Sequence, residues 1–385
     1  MLNFQFHNPT RIVFGKDSMP AIDQLVPHDA RVLILYGGQS AERSGTLSLV
    51  RAALGRRVCF EFQGIEPNPT YETLMRAVEL VRSEQVDFLL AVGGGSVIDG
   101  TKFVAAAVNY VGDPWEILET FGAKVDQALP LGTVLTLPAT GSEMNNTAVV
   151  TRKATKTKAF FASPHIFPQF SVLDPTTTNT LPVRQLANGV VDAFVHVVEQ
   201  YLTYPTDARV QDRFAEGLMQ TLIEIGPKVV HEPADYTSRA NLMWAATMAL
   251  NGLIGAGVPH DWATHITRHE LTAVYGIDHG RTLAVVLPSM LRLRREAKRA
   301  KLLQYAERVW GITDGSEDVR IDAAIAQTQA FFEGLGVPTR LRDYDVHASA
   351  IDELVARLVA HGMTALGEHQ DVTPDMARQV FEASL

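Results

Sequence analysis

Twelve histidines are spread along 385 residues, and four of them, His260, His265, His269 and His279, fall within twenty positions. Upstream, in LANGVVDAFVHVVEQ, Asp192 and His196 stand four apart. On a helix that spacing stacks two side chains on one face, one turn apart. Their neighbours are apolar, and a buried carboxylate beside a buried imidazole needs partners. A divalent metal would satisfy both. His265 and His269 repeat the spacing in HDWATHITRHE, and His279 follows in GIDHG. One Asp with two or three His suits zinc or ferrous iron. Cys59 is the only cysteine, which excludes an intramolecular disulfide and any metal site built from several thiolates. That points to a catalytic rather than a structural ion. The zincin motif H-E-x-x-H is not met, because Ala273 stands where the second histidine belongs. Taken singly, each of these histidines also reads as an imidazole satisfied in the core or at the surface.

A second group of residues suits phosphate. Gly93-Gly94-Gly95-Ser96 follows an apolar run and opens a helical pattern through Asp99 and Lys102. Glycines let the backbone approach an anion, and helix N-terminal N–H groups face it. Ile98 breaks the dinucleotide G-x-G-x-x-G pattern, and Gly100-Thr101-Lys102 inverts the P-loop order, so a plain tight turn remains an alternative. Gly37-Gly38-Gln39-Ser40 also follows a strand-like run. No acidic residue stands there to bond a ribose 2′-hydroxyl, which leaves room for a 2′-phosphate and argues for NADP over NAD. The hydroxyl-rich TLPATGSE, residues 136–143, suits ribose or phosphate oxygens, or a capped loop.

These residues need rigid elements to carry them. Apolar runs at 32–36, 58–62, 87–92 and 133–137, with a helical period over 71–83, predict parallel strands covered by helices. Beyond residue 180 the pattern is helical over 184–203, 208–229, 236–254, 258–274, 282–307, 320–335, 348–361 and 374–384. The expected layout is therefore an α/β domain over 1–180 and a helical domain over 181–385. Hydrophobic residues at 46% and charged residues at 20% exclude general disorder. The balance of 34 basic and 43 acidic residues, net −9, argues against a nucleic-acid partner. No apolar run reaches the roughly 18 residues of a membrane span. The opening MLNFQFHNPTRIVFG lacks a signal-peptide core, so a cytoplasmic location is expected.

The motifs PTRIVFGK, GIEPNPTYET, AVGGGSVIDGTK, LTLPATGSE and LANGVVDAFVHVVEQ, with the segment from Trp262 to His279, together resemble the iron-containing (group III) alcohol dehydrogenase family. The likeness covers essentially the whole chain. It is strongest to the branch of bacterial NADPH-dependent aldehyde reductases and butanol dehydrogenases. The resemblance implies the dehydroquinate synthase-like fold: a Rossmann-like α/β N-terminal domain with a parallel sheet, then an all-α C-terminal domain. It implies one divalent metal, Zn2+ or Fe2+, on Asp192, His196, His265 and His279. It makes His269 a catalytic residue near substrate or nicotinamide. It implies NADP(H) contacts at Gly37, Gly38 and Ser40 for the adenosine end, and at Gly94, Gly95, Ser96 and Asp99 for the pyrophosphate and its surroundings. Thr136, Thr140, Ser142 and Asn145 fall on the nicotinamide side, and Lys158 near ribose or phosphate, with Lys153 and Lys156 competing for that register. The implied reaction is reversible hydride transfer between NADPH and a small aldehyde or alcohol, in a homodimer. Glycerol dehydrogenases and dehydroquinate synthases share the superfold, and a non-enzymatic metal- or nucleotide-binding regulator is a further alternative. Arg268 stands where the branch leads one to expect a small residue, and its place beside His269 on a helix directs it outward. His260 is likewise an unusual neighbour of Asp261-Trp262.

Overall fold

The structure, a computed structural model, describes residues 1–232 and 234–385. The chain forms two compact units: His7–Leu181, and Pro182–Leu385 together with Met1–Phe6. Strands, and helices of five or more residues, are numbered along the chain.

The first unit holds strands β1 (Arg11–Phe14), β2 (Arg31–Tyr36), β3 (Val58–Gln63), β4 (Phe88–Gly94), β5 (Leu131–Leu137), β6 (Thr147–Arg152), β7 (Thr157–Ala162) and β8 (Phe170–Leu173). Its main helices are α1 (Thr46–Leu54), α2 (Tyr71–Ser83) and α3 (Gly95–Ala107). Six strands pair in the order β1-β8-β5-β4-β2-β3, all parallel, while β6 and β7 form a separate antiparallel pair. The central strands are apolar on both faces because both are covered. In β2, Val32, Ile34 and Tyr36 pack with Leu47, Val50 and Leu54 of α1, while Leu33 and Leu35 are fully buried on the other side. Thr70 caps α2 by accepting from the Thr73 N–H.

The strand order places the first phosphate-type signal. From β2 the chain moves outward to β3, then returns to β4 on the opposite flank of β2. In open α/β sheets, ligands bind beyond the carboxyl ends of strands at such a reversal. Gly37-Gly38 ends β2, and Gly93-Gly94 ends β4. Both glycine pairs therefore border the same switch point.

The second unit is helical: α4 (Val183–Tyr201), α5 (Arg209–His231), α6 (Tyr236–Ala249), α7 (Ala263–Thr267), α8 (His269–Tyr275), α9 (His279–Leu293), α10 (Arg299–Arg308), α11 (Glu317–Gly334), α12 (Ile351–Ala360) and α13 (Pro374–Ala383). The parallel-sheet and helical-domain fold expected from the sequence is borne out. Two single helices expected over 258–274 and 282–307 are each divided. In the first, Trp262 takes a left-handed φ of 57°, the helix begins only at Ala263, and it is divided at Arg268. In the second, the backbone leaves the helix between Arg294 and Lys298, whose side chains turn inward. Lys298 bonds Glu368 at 2.8 Å and Asp261 at 2.9 Å, and Arg294 reaches Asp371 at 2.8 Å. Among the described residues no helix is long and apolar enough to cross a membrane.

Candidate metal centre and dinucleotide cradle

Helix α4 carries a polar stripe in an otherwise apolar run: Asp192, His196 and Glu199, at i, i+4 and i+7, all buried. Opposite stand His265 on α7 and His279, the first residue of α9. One ligand atom from each of Asp192, His196, His265 and His279 lies within 4.8 Å of the others. The Asp192 Oδ1 is 3.7 Å from His196 Nε2, 3.8 Å from His265 Nε2 and 3.0 Å from His279 Nε2. Ligands about 2.1 Å from a tetrahedral ion stand about 3.4 Å apart, so these spacings fit one. Asp192 Oδ1 and His265 Nε2 are buried and accept or donate no hydrogen bond. Orphaned buried polar atoms converging on one point are what an ion would satisfy. The residues present therefore fit a divalent metal.

The local sequence explains how the four converge. A Cβ on Gly280 would lie 2.5 Å from the Asn188 carbonyl oxygen, so only glycine lets α9 begin this close to α4. Asp278 fixes that start by accepting from Arg184 at 2.7 Å and Asn188 at 2.8 Å. Trp262 sets its ring edge-on to His265 at 5.4 Å and to His196 at 6.2 Å, walling one side. The His196 and His265 rings stack at 4.6 Å.

Glu199 completes the arrangement. One oxygen accepts the Thr264 N–H at 2.7 Å, and the other pairs with His265 Nδ1. That pairing keeps the His265 proton on Nδ1 and turns a bare Nε2 toward the cluster. Burial works against a charged His265, but Glu199 and Asp192 outweigh it and hold its pKa above the usual value. Burial pulls His196 down to about 4. Asp192 is held well below the carboxylate range: burial opposes this, but His279 and His196 prevail.

Arg268 does not point outward. It is 1% exposed, and its Nη2 lies 3.4 Å from His279 Nε2. The physical reason is the break between α7 and α8, which falls at Arg268 and turns its side chain toward Thr272 and His279. Burial pulls the guanidinium down to about 9, against the attraction of Asp192 and Glu199, and it remains a cation at neutral pH. His269 opens α8, is half-buried and stands outside the four-residue cluster. His260 serves its loop, with Nε2 3.0 Å from the Gly255 carbonyl oxygen and Nδ1 3.3 Å from the Trp262 indole nitrogen.

In the α/β unit, Gly38 and Ser40 are exposed and Gly37 half-buried. A Cβ on Gly38 would meet nothing within 4 Å. Gly95 is different, since a Cβ there would lie 2.3 Å from Thr140 Oγ1. Thr136 is the penultimate residue of β5 and is half-buried. Ser96 Oγ accepts from the Asn68 N–H at 3.3 Å, and Lys158 on β7 bonds the Asn68 side chain at 2.7 Å. Ser96 and Lys158 are thus joined through Asn68. Ser142 donates to Asp99 at 2.6 Å. The buried Lys102 donates to Ser142 at 3.0 Å, to Asn145 at 2.9 Å and to the Thr147 carbonyl at 2.9 Å. Burial pushes Asp99 up and pulls Lys102 down to about 8.

Comparison with known proteins decides the family. The model described as "Iron-containing alcohol dehydrogenase" matches residues 9–175, and that described as "Fe-containing alcohol dehydrogenase family, C-terminal" matches residues 186–385. The chain belongs to the iron-containing alcohol dehydrogenase family. It is 61% identical to the NADPH-dependent aldehyde reductase YqhD of Escherichia coli, over 100% of both chains. It is 38% identical to a probable NADH-dependent butanol dehydrogenase of Bacillus subtilis, again over 100% of both. Among solved structures, the substrate- and cofactor-free form of E. coli YqhD superposes with a TM-score of 0.95 at 60% identity, covering 100% of both chains. NADH-dependent butanol dehydrogenase A from Thermotoga maritima gives 0.95 at 34%, covering 100% of this chain and 99% of that one.

Within this family member, three site residues escape motif reading. Glu199 was open to detection, since 192, 196 and 199 form one polar stripe on an apolar helix. Lys102 carried the same signal, one turn beyond Asp99 on a buried helix. Asn68 carried none, because its role depends on a left-handed φ of 57° in a loop.

Proposed function

We propose that this iron-containing alcohol dehydrogenase reduces small aldehydes to primary alcohols with NADPH, reversibly, aided by one divalent metal. The observation that carries the reading is the converging set Asp192, His196, His265 and His279 with its orphaned ligand atoms. The 61% relationship to an aldehyde reductase over the full chain supports it. A metal held there supplies Lewis acidity toward a carbonyl oxygen, and the dinucleotide supplies the hydride.

The chain's own residues then have defined tasks. Asp192 supplies the one negative charge of the ligand set. Glu199 holds the proton of His265 on Nδ1, so that Nε2 presents a lone pair. His269 relays the proton taken up by the product oxygen. The α/β unit binds the dinucleotide, and the helical unit holds the metal and performs catalysis. Gly37, Gly38 and Ser40 receive the adenosine end, where the absence of an acidic side chain admits a 2′-phosphate. Gly94, Gly95 and Ser96 receive the pyrophosphate at the α3 N-terminus, with Lys158 nearby through Asn68. Thr136 and Thr140 serve the nicotinamide side. Asp99, Ser142 and Asn145 serve it through the loop that Lys102 holds in place. Zinc and ferrous iron both match the donor set. The protein acts as a cytoplasmic homodimer.

The test follows NADPH or NADH absorbance with purified protein and butanal, before and after chelation and after adding back zinc or ferrous ion. The expected result is NADPH oxidation that chelation abolishes and metal restores. No turnover with either dinucleotide across several aldehydes and alcohols, despite bound metal, would refute the reading.

A further inference from the structure

Arg268 brings a second cation to a site built for one. Its side chain is buried, and Nη2 donates toward His279 Nε2 at 3.4 Å. That nitrogen also lies 3.0 Å from Asp192 Oδ1, inside the four-ligand cluster. The Arg268 Nε is buried without a partner, and the hydrogen bonds of the guanidinium run to neutral acceptors, Thr272 Oγ1 and His279 Nε2, both at 3.4 Å. Nothing else in the surroundings therefore fixes its charge, and Asp192 and Glu199 attract it from farther away. A buried arginine with no carboxylate of its own is costly unless it serves the charge of its surroundings.

We propose that Arg268 is a built-in competitor of the divalent ion. This rests on the metal reading given above. Without the ion, the guanidinium balances Asp192 and occupies the His279 lone pair, so the ligand set persists in a protein that stays folded. With the ion bound, a dication and a guanidinium share one carboxylate and three neutral imidazoles at close range. Like charges in a buried setting repel strongly, and the ion is also denied a lone pair unless the arginine withdraws. The chain consequently holds its metal more loosely than the same ligands would without Arg268. A metal that loads and leaves readily follows from one residue adjoining the ligand set.

Zinc alone, titrated against a chromophoric chelator, tests this on the full chain. R268Q removes the charge, R268K keeps it on a shorter stem, and R268M removes it with an apolar side chain of similar length. We expect R268Q and R268M to lower the zinc Kd at least tenfold, and R268K to stay within about threefold of the unaltered chain. Zinc should also raise the melting temperature more in R268Q than in the unaltered protein. Equal or weaker zinc binding by both R268Q and R268M would overturn the proposal. Failure of every protein, the unaltered chain included, to bind zinc or ferrous ion would overturn the metal reading itself, a separate result.

Discussion

Glu199 touches no reacting atom, yet its replacement should be felt at the metal. In Glu199→Gln, one amide oxygen replaces two carboxylate oxygens that accept from Thr264 N–H and pair with His265 Nδ1. The Thr264 N–H is buried and keeps the oxygen. The amide nitrogen then faces Nδ1, and because it can only donate, Nδ1 must give up its proton. The proton moves to Nε2, the atom that faces Asp192 at 3.8 Å and that the ion needs bare. Loss of partners that orient metal ligands weakens metal affinity by about 10–100-fold, or about 1.4–2.7 kcal/mol. Here the substitution both removes the charge and selects the wrong tautomer, so the upper end is expected. The same change removes the attraction that holds His265 above its usual pKa. Its charged form becomes less favoured, and metal loss on acidification should begin at lower pH, although from a weaker starting affinity. Competition titration with zinc across pH 5 to 8 measures both, with circular dichroism confirming the fold. A zinc affinity within twofold of the unaltered protein at neutral pH would refute the tautomer argument.

Two further substitutions probe the α/β unit. Gly38→Asp adds a carboxylate at the adenosine end where a new Cβ meets nothing within 4 Å, so folding should be unaffected. Repulsion of a 2′-phosphate should lower kcat/KM for NADPH at least tenfold while NADH is spared, and an unchanged cofactor ratio would misplace the adenosine end. Lys102→Met strips Ser142, Asn145 and the Thr147 carbonyl of their shared donor and leaves Asp99 without its counter-charge. A loss of about 3 kcal/mol in urea unfolding is expected. Lys102 titrates near 8 in the native chain against 10.5 as the reference, so between those values the unfolded chain binds more protons. The Lys102 contribution to stability therefore rises with pH across that window, and K102M should lack the rise.

The parallel sheet was legible because its inner strands are covered on both faces and read as unbroken apolar runs. Strands β1 and β8 were not, since four residues give too little pattern. The β6–β7 pair, TAVVTR and TKAFFA, was not read, because both strands are short and the KATK turn between them is polar. The break after Arg294 was invisible because the partners of Arg294 and Lys298, which are Asp261, Glu368 and Asp371, are distant in sequence, and nothing in the sequence marks the break at Arg268. The convergence of Asp192, His196, His265 and His279 could be read from spacing and family likeness. The direction of Arg268 could not, because helical periodicity fails where the helix itself is interrupted.

The segment Met1–Phe6 belongs to the helical unit although the residues after it build the sheet. The Leu2 N–H bonds the Gly257 carbonyl at 2.9 Å, and Phe4 packs where a Gly257 side chain would otherwise stand. During synthesis this segment must wait for a partner roughly 250 residues downstream, on the order of 10–50 s at about 5–20 residues per second. The sheet can form in that interval, but its leading strap stays undocked. The helical unit is therefore assembled from residues on both sides of the sheet in sequence, and Met1–Phe6 can dock only once Gly257 has been made.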